Sequence, residues 1–471
     1  MTPGGPRRSA PWTTPTCGIS SPTFIAFGTR KHPPRRPRSW NNPPMAKRPG
    51  LSFYLASQKL RGRARAEARL KRGLVEGSED RTRAAERLGK PRQDRPAGPL
   101  IWLHAGNEVE ALGFPELVDR LADEREDLSF LVTTTGHDPD HPLEARLPSR
   151  AILQYAPYGE DGAVEAFLGH WRPDICLWAE NRFEPGLIDR TASAGVDMVL
   201  VDARVPERAG WRWLPGIRRT LLRQFTHVFA GDDTARTGLI GLGVSPDRIE
   251  TVGFLQEGTA PLTCSQAERD MLAEELAARP VWLAAGAGAD EFAILTGVHQ
   301  QVMRRSHRLL LILAPQDPNE GPLLARKLES EGWVVGLRSL EDEPEPEVEI
   351  YIADVPGELG LWYRLAPTSF LGGTLSGGPV RNPYEAAALG SAVLYGPRPG
   401  PWRESFERLR DAGAARCVSD KQDLTRTVEE LLAPDHVARM ASAAWDVTTN
   451  GAQATDRVVE LVLDTLDRKG V

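Results

Sequence analysis

Cysteine is scarce. Cys17, Cys176, Cys264 and Cys417 lie far apart in 471 residues, and no two form a CxxC pair. That spacing argues against a disulfide framework or a structural zinc site and fits a reducing compartment. No apolar run is long enough to span a bilayer. No compact apolar core follows the early arginines, which argues against a secretory signal. P-loop, GxSxG and Ser/His/Asp signatures are missing as well. Acids are absent from residues 1–45, which hold seven Lys and Arg.

What is present is the composition of a soluble globular chain, 41% hydrophobic and 26% charged, long enough for two or three domains. The net charge is only −6, yet residues 46–95 carry fifteen Lys and Arg against six acids. With the seven cations before them, the first 95 residues hold +16 and the remainder −22. Such a basic arm suits an anionic surface; the plain alternative is a solvated leader. Residues 1–44, rich in Pro, Arg, Ser and Thr without periodicity, are expected to form a disordered basic leader, and Met45 is a second plausible start. Residues 45–97 read as a basic amphipathic, membrane-proximal segment. Leu51-Ser52-Phe53-Tyr54-Leu55-Ala56 opens it and leads into an Arg-rich helix over 61–72, suited to lie on a membrane or to pack on the domain behind it.

From Pro99 onward short apolar runs alternate with helical stretches. Strands are expected at 100–103, 128–133, 175–178, 198–201 and 227–230, with helices at 110–124, 162–170, 185–194 and 233–242. After a linker at 254–264 the pattern restarts, with strands at 281–285, 309–313, 349–353, 369–371 and 392–395. Helices at 324–332 and 357–365 are the clearest of those between, and two more, 435–445 and 454–468, close the chain. The fold class is therefore α/β, with two doubly wound, Rossmann-like domains over 98–262 and 263–471 facing a central cleft.

Four places carry candidate chemistry. His104-Ala105-Gly106-Asn107-Glu108-Val109-Glu110 follows the first strand, where open α/β sheets face their ligand crevice. Glu108 and Glu110 both suit a general base, and both suit a helix start. Gly372-Gly373-Thr374-Leu375-Ser376-Gly377-Gly378, followed by Arg381, suits an anion held by backbone N–H groups. In the same stretch Asn382, Pro383 and Glu385 fit N-cap, N1 and N3 of a helix. His137-Asp138-Pro139-Asp140-His141 has metal-ligand types but reads as a surface turn. Trp211 and Trp213, among Arg212, Arg218 and Arg219, read as a basic-aromatic patch for a phosphorylated lipid or for helix packing.

The order of several motifs resembles the Kdo transferases, which join 3-deoxy-D-manno-octulosonic acid (Kdo) to the lipid A precursor. Trp102-Leu103-His104-Ala105 with Glu110 resembles the opening motif, whose catalytic glutamate lies six positions after the histidine. Trp178-Ala179-Glu180-Asn181-Arg182-Phe183-Glu184-Pro185 resembles Glu-Thr-Glu-Leu-Trp-Pro, and Asp202-Ala203-Arg204-Val205-Pro206-Glu207-Arg208 resembles Asn-Ala-Arg-Leu-Ser-Glu-Arg. Gly357-Glu358-Leu359-Gly360 matches a Gly-Glu-Leu-Gly turn. The glycine-rich stretch matches Gly-Gly-Ser-Leu…Gly-Gly-His-Asn-Pro-x-Glu.

The resemblance implies an inverting, metal-independent GT-B glycosyltransferase with CMP-Kdo as donor substrate and no cofactor. Glu110 would be the catalytic base. Gly357, Glu358, Leu359, Gly372, Gly373, Arg381, Asn382 and Glu385 would bind the donor, and Glu180, Arg182 and Arg204 would bind or support the acceptor. The implied partners are a CMP-sugar, the lipid A precursor and the membrane surface, with no nucleic acid, and the implied location is peripheral, on the cytoplasmic face of the inner membrane. The chain departs from the family pattern at Arg182 (for glutamate), Gln256 (for lysine), Gly286-Ala287-Gly288 (for Ser-Thr-His), Gln316-Asp317 (for Arg-His) and Arg381 (for histidine). These changes leave room for a diverged GT-B transferase with another donor or acceptor, or for a silent paralogue that binds CMP or lipid A.

Overall fold

Strand β1 (Leu100–Ala105) is buried along its whole length, and its alternate residues feed opposite faces of a sheet. Leu100 and Trp102 pack into one core, Ile101, Leu103 and Ala105 into another. The period of two thus places a continuous apolar run in two cores, which only a sheet covered on both faces can do. The computed structural model describes residues 49–471 except 108, 137–142, 146, 160, 180–181, 206–215, 259–260 and 277–278, all within one contact unit, Lys47–Val471. The expected leader, Met45, Glu108, the 137–141 turn and the Trp211–Trp213 patch lie outside the described residues.

Six further strands join β1: β2 (Ser129–Thr134), β3 (Ala151–Tyr155), β4 (Ile175–Trp178), β5 (Asp197–Ala203), β6 (His227–Ala230) and β7 (Ile249–Thr251). They form a parallel sheet of order β3-β2-β1-β4-β5-β6-β7. The second sheet contains β8 (Val281–Ala287), β9 (Leu310–Pro315), β10 (Val335–Leu337), β11 (Ile350–Ile352), β12 (Thr368–Leu371), β13 (Ala392–Tyr395) and β14 (Ala415–Cys417). Its order is β10-β11-β9-β8-β12-β13-β14, again parallel. In each sheet the chain winds outward one way, returns, and winds the other way. Crevices therefore open at the carboxyl ends of β1 and β4 in the first sheet and of β8 and β12 in the second. This is the expected pair of doubly wound domains, a GT-B architecture.

Three segments differ from the sequence-based expectation. The helix expected from 110 begins as a 3-10 turn, Glu110–Gly113, and becomes α-helical only at Phe114–Glu124, with Pro115 in its first turn. The two closing helices are one, Pro434–Lys469. Its early part packs on the second domain through Ala444, whereas Val458, Val462 and Leu466 lie in a core of the first. The last turns of the segment 263–471 thus pack on the first domain. Finally, the amphipathic start is a 28-residue helix, Pro49–Glu76. Its Leu51 and Leu55 sit in the core beside Trp102 and Trp171, and Ala66 and Leu70 pack with Ala84 and Tyr158. These four apolar residues face protein, whereas Val75 near the end of the same helix is exposed. Among the described residues no helix is long and apolar enough to cross a membrane.

Candidate functional site

Glu110 stands at the β1/β4 crevice because β1 ends at Ala105 and the chain must turn before the Phe114–Glu124 helix. Two hydrogen bonds fix the turn: Gly106 N–H donates to Glu110 Oε2 at 2.8 Å, and Glu110 N–H donates to Asn107 Oδ1 at 2.9 Å. The carboxylate is half-buried and borders a cavity of about 410 Å³ between the two domains. Asn107, Ala179, Asp202 and Arg204 line it from the first domain, with Gln256 from the linker. Pro401, Arg403, Glu404 and Ser405 close it from the second. His104 is not part of this surface: it is fully buried, bonded through Nδ1 to Thr133 Oγ1 at 2.8 Å and packed on Trp178.

Arg204, at the end of β5, reaches the same cavity. It pairs with Glu404 of the opposite domain and lies 4.7 Å from the Phe254 ring centroid. Burial holds its pKa below the ordinary arginine value, and the nearby Arg408 adds to the effect. Beneath it Asp202 is buried, its pKa raised by desolvation although Oδ1 accepts the Leu255 N–H at 2.6 Å. Gln256, where the family pattern has lysine, donates through Nε2 to the Val109 carbonyl at 2.9 Å, bracing the chain just before Glu110.

Behind the cavity runs a polar cluster with no sequence signature. Arg408, on the helix Arg403–Asp411, donates from Nε to Glu257 Oε1 at 2.9 Å and from Nη2 to the Tyr384 hydroxyl at 2.7 Å, while its guanidinium lies 4.2 Å from the Phe254 ring centroid. Glu257 belongs to the linker turn Leu255–Gly258 and is only 5% exposed. Burial pushes its pKa up to about 7, more than the Arg408 pair draws it down. A spacing of 151 residues between the two partners explains why no local pattern points to them.

In the second domain, Arg381 lies over the carboxyl end of β8, where a Cβ at Gly286 would come within 3.1 Å of its Nε. Asn382, Pro383 and Glu385 start a short helix, Pro383–Ala387, with Asn382 Oδ1 accepting the Tyr384 N–H at 3.0 Å. The glycine-rich turn differs from the expectation. Its N–H groups are already engaged: Gly373 donates to Glu291 Oε2 at 2.7 Å, and Leu375 and Ser376 donate to Oε1 at 3.0 Å. Glu291, fully buried on the helix Ala289–Met303, fills the place in which an external anion was expected. Gly373 keeps its left-handed φ of 75° for the turn, and a Cβ there would strike the Pro379 carbonyl.

Glu358 also has a local partner, since Arg338 donates to both its oxygens at 2.9 and 3.0 Å. Gly357 has φ 87°, and Leu359 packs against the second-domain core. Arg182 is exposed in the bend after β4, and Glu180 lies outside the described residues. Of the expected residues, the cavity thus collects Glu110 and Arg204. Arg381 marks the second crevice, and Asp202, Glu257, Arg408, Arg403 and Glu404 are additions.

A family model described as "3-Deoxy-D-manno-octulosonic-acid transferase (kdotransferase)" matches residues 82–256. The chain is 29% identical over 385 residues to a probable mitochondrial 3-deoxy-D-manno-octulosonic acid transferase of Arabidopsis thaliana, covering 79% of this chain and 86% of that one. It is 25% identical to the Haemophilus influenzae 3-deoxy-D-manno-octulosonic acid transferase over 397 residues, 82% of this chain and 92% of the other. Among solved structures it is similar to the C-terminal CMP-Kdo binding domain of WaaA from Acinetobacter baumannii, at 23% identity and TM-score 0.37, covering 39% of this chain and 98% of that domain.

Proposed function

From a chain that belongs to the 3-deoxy-D-manno-octulosonic-acid transferase family as a divergent member, we propose an inverting glycosyltransferase that moves Kdo from CMP-Kdo to a hydroxyl of the lipid A precursor. The observation that carries this reading is Glu110, held by Gly106 at the first crevice and facing the second domain across the cavity. Its carboxylate takes the proton of the acceptor hydroxyl as that oxygen attacks the anomeric carbon. The bond to the CMP phosphate breaks on the opposite face, and the configuration inverts.

As that bond breaks, negative charge grows on the phosphate, and fixed cations at the second crevice favour it. Arg381 supplies one. With the N–H groups of Gly373, Leu375 and Ser376 committed to Glu291, the side chain of Arg381 takes over a task that the glycine turn was expected to perform. Asn382 and Glu385 are placed beside it by the helix they start. The proposed acceptor is a lipid, so in this reading the chain works peripherally at a membrane surface, on its cytoplasmic face. The basic residues of its first 95 positions favour an anionic bilayer.

Purified protein incubated with CMP-Kdo and lipid A precursor should yield product heavier by one or more Kdo units. Glu110→Gln, which keeps the shape and removes the base, should lower turnover by about 100-fold or more. A variant as active as the parent would remove Glu110 from the mechanism. Binding of CMP without any product would favour a silent paralogue, a reading supported by Gly286-Ala287-Gly288, which lacks the polar side chains of the family pattern.

A further inference from the structure

We infer that Arg403 receives the carboxylate of the donor sugar and so selects an acidic sugar; the inference rests on the transferase reading above. An ulosonic acid carries its carboxylate on the very carbon that is attacked, next to the leaving phosphate. The cavity around Glu110 is a poor place for such a group unless a cation meets it. Glu110, Asp202 and Glu404 all border the cavity and are acids. Of its two arginines, Arg204 is already paired with Glu404. Arg403 is the other, and among the described residues it has no ion pair or hydrogen bond from its side chain.

Its position is fixed by its neighbours. The Trp402 indole N–H donates to the Val380 carbonyl at 2.9 Å, Ser405 is buried, and Phe406 stacks on Tyr395 with ring centroids 4.3 Å apart. These anchors hold the first turn of the helix Arg403–Asp411 and leave Arg403 exposed towards the cavity from the donor side, opposite Glu110. A guanidinium fork matches a carboxylate with two parallel hydrogen bonds, which a lysine cannot reproduce. The carboxylate keeps its charge from ground state to transition state. Arg403 therefore contributes uniform binding, and its loss appears in KM rather than in kcat.

The test is steady-state kinetics of Arg403→Gln and Arg403→Lys, with thermal melting to verify that both variants fold like the parent. Hydrogen bonds to charged groups predict a donor KM raised about 10- to 100-fold in Arg403→Gln, with kcat and acceptor KM within about twofold. Arg403→Lys should recover part of the loss. An unchanged donor KM, or a change confined to acceptor KM, overturns the inference. Should the parent protein give no product, the transferase reading fails separately, and calorimetric titration then decides on Arg403. The inference stands if the parent binds CMP-Kdo at least about tenfold more tightly than CMP while Arg403→Gln binds the two alike. It falls if the parent shows no such preference or the variant retains it.

Discussion

Glu257 joins two opposing effects on one carboxylate, the Arg408 ion pair and nearly complete burial, and burial wins, pushing its pKa up to about 7. In the unfolded chain a glutamate titrates near ~4.3. Between those values the folded protein holds a proton that the unfolded chain has released. This contribution to stability is therefore complete below the unfolded pKa and is lost as pH rises through about 7, at up to about 1.4 kcal/mol per pH unit. Urea unfolding midpoints from about pH 5 to about pH 8 should decline in the parent and decline less in Glu257→Gln. Parallel curves would show that Glu257 stays ionised throughout. The same residue shows what local sequence conveys and what it hides. A strand end marked Glu108 and Glu110 alike, with the resemblance alone choosing Glu110, and the Asn382 cap was legible because a capping box is a short-range pattern. Glu291 and the Glu257–Arg408 pair were not, because each depends on atoms brought together from more than 80 residues away.

Among elements, the closing helix Pro434–Lys469 is the clearest case of packing overriding propensity. Residues 446–453 contain Val447, Thr448, Thr449 and Gly451, a weak helical stretch read as a break. The helix continues because Gly451 meets Gly258 of the linker backbone to backbone; a Cβ at Gly451 would lie 2.2 Å from Gly258 N. Gly451→Ala should destabilise by about 1–3 kcal/mol, since backbone cannot move aside as a flexible side chain can. Gly169→Ala, with open space at its Cβ in the helix Asp161–Trp171, should instead be neutral or stabilise by up to about 1 kcal/mol. Chemical denaturation of both variants checks the contrast, and equal effects would remove the close approach as its cause. The strands that sequence reading missed, β3, β7, β10 and β14, are the four edges of the two sheets. Each edge strand is partly exposed, whereas interior strands such as β1, β4, β8 and β9 are buried along their whole length, so the edges carry the weaker apolar signal.

At the scale of the whole molecule, the two-domain plan followed from strand–helix alternation alone, whereas the glycine turn read locally both as an anion site and as a helix start, and neither reading reveals that Glu291 bonds its N–H groups. The largest-scale property, charge, divides the chain into a first 95 residues at +16 and a remainder at −22. The helix Pro49–Glu76 carries seven Lys and Arg against Glu67 and Glu76. Leu51, Leu55, Ala66 and Leu70 pack on the domain, and any attraction of these charges to a bilayer would be screened by salt. Exposed Arg65, Lys71 and Arg72 are available for it. In co-sedimentation, the full chain should bind phosphatidylglycerol–phosphatidylcholine vesicles near ~0.1 M salt and release them near ~1 M, as the screening length contracts from about 10 Å to about 3 Å. At about 1 kcal/mol for each basic residue near the surface, changing Arg65, Lys71 and Arg72 together to Glu should weaken binding on the order of a hundredfold. Equal binding to pure phosphatidylcholine, or binding indifferent to salt, would instead mean that apolar residues carry the contact.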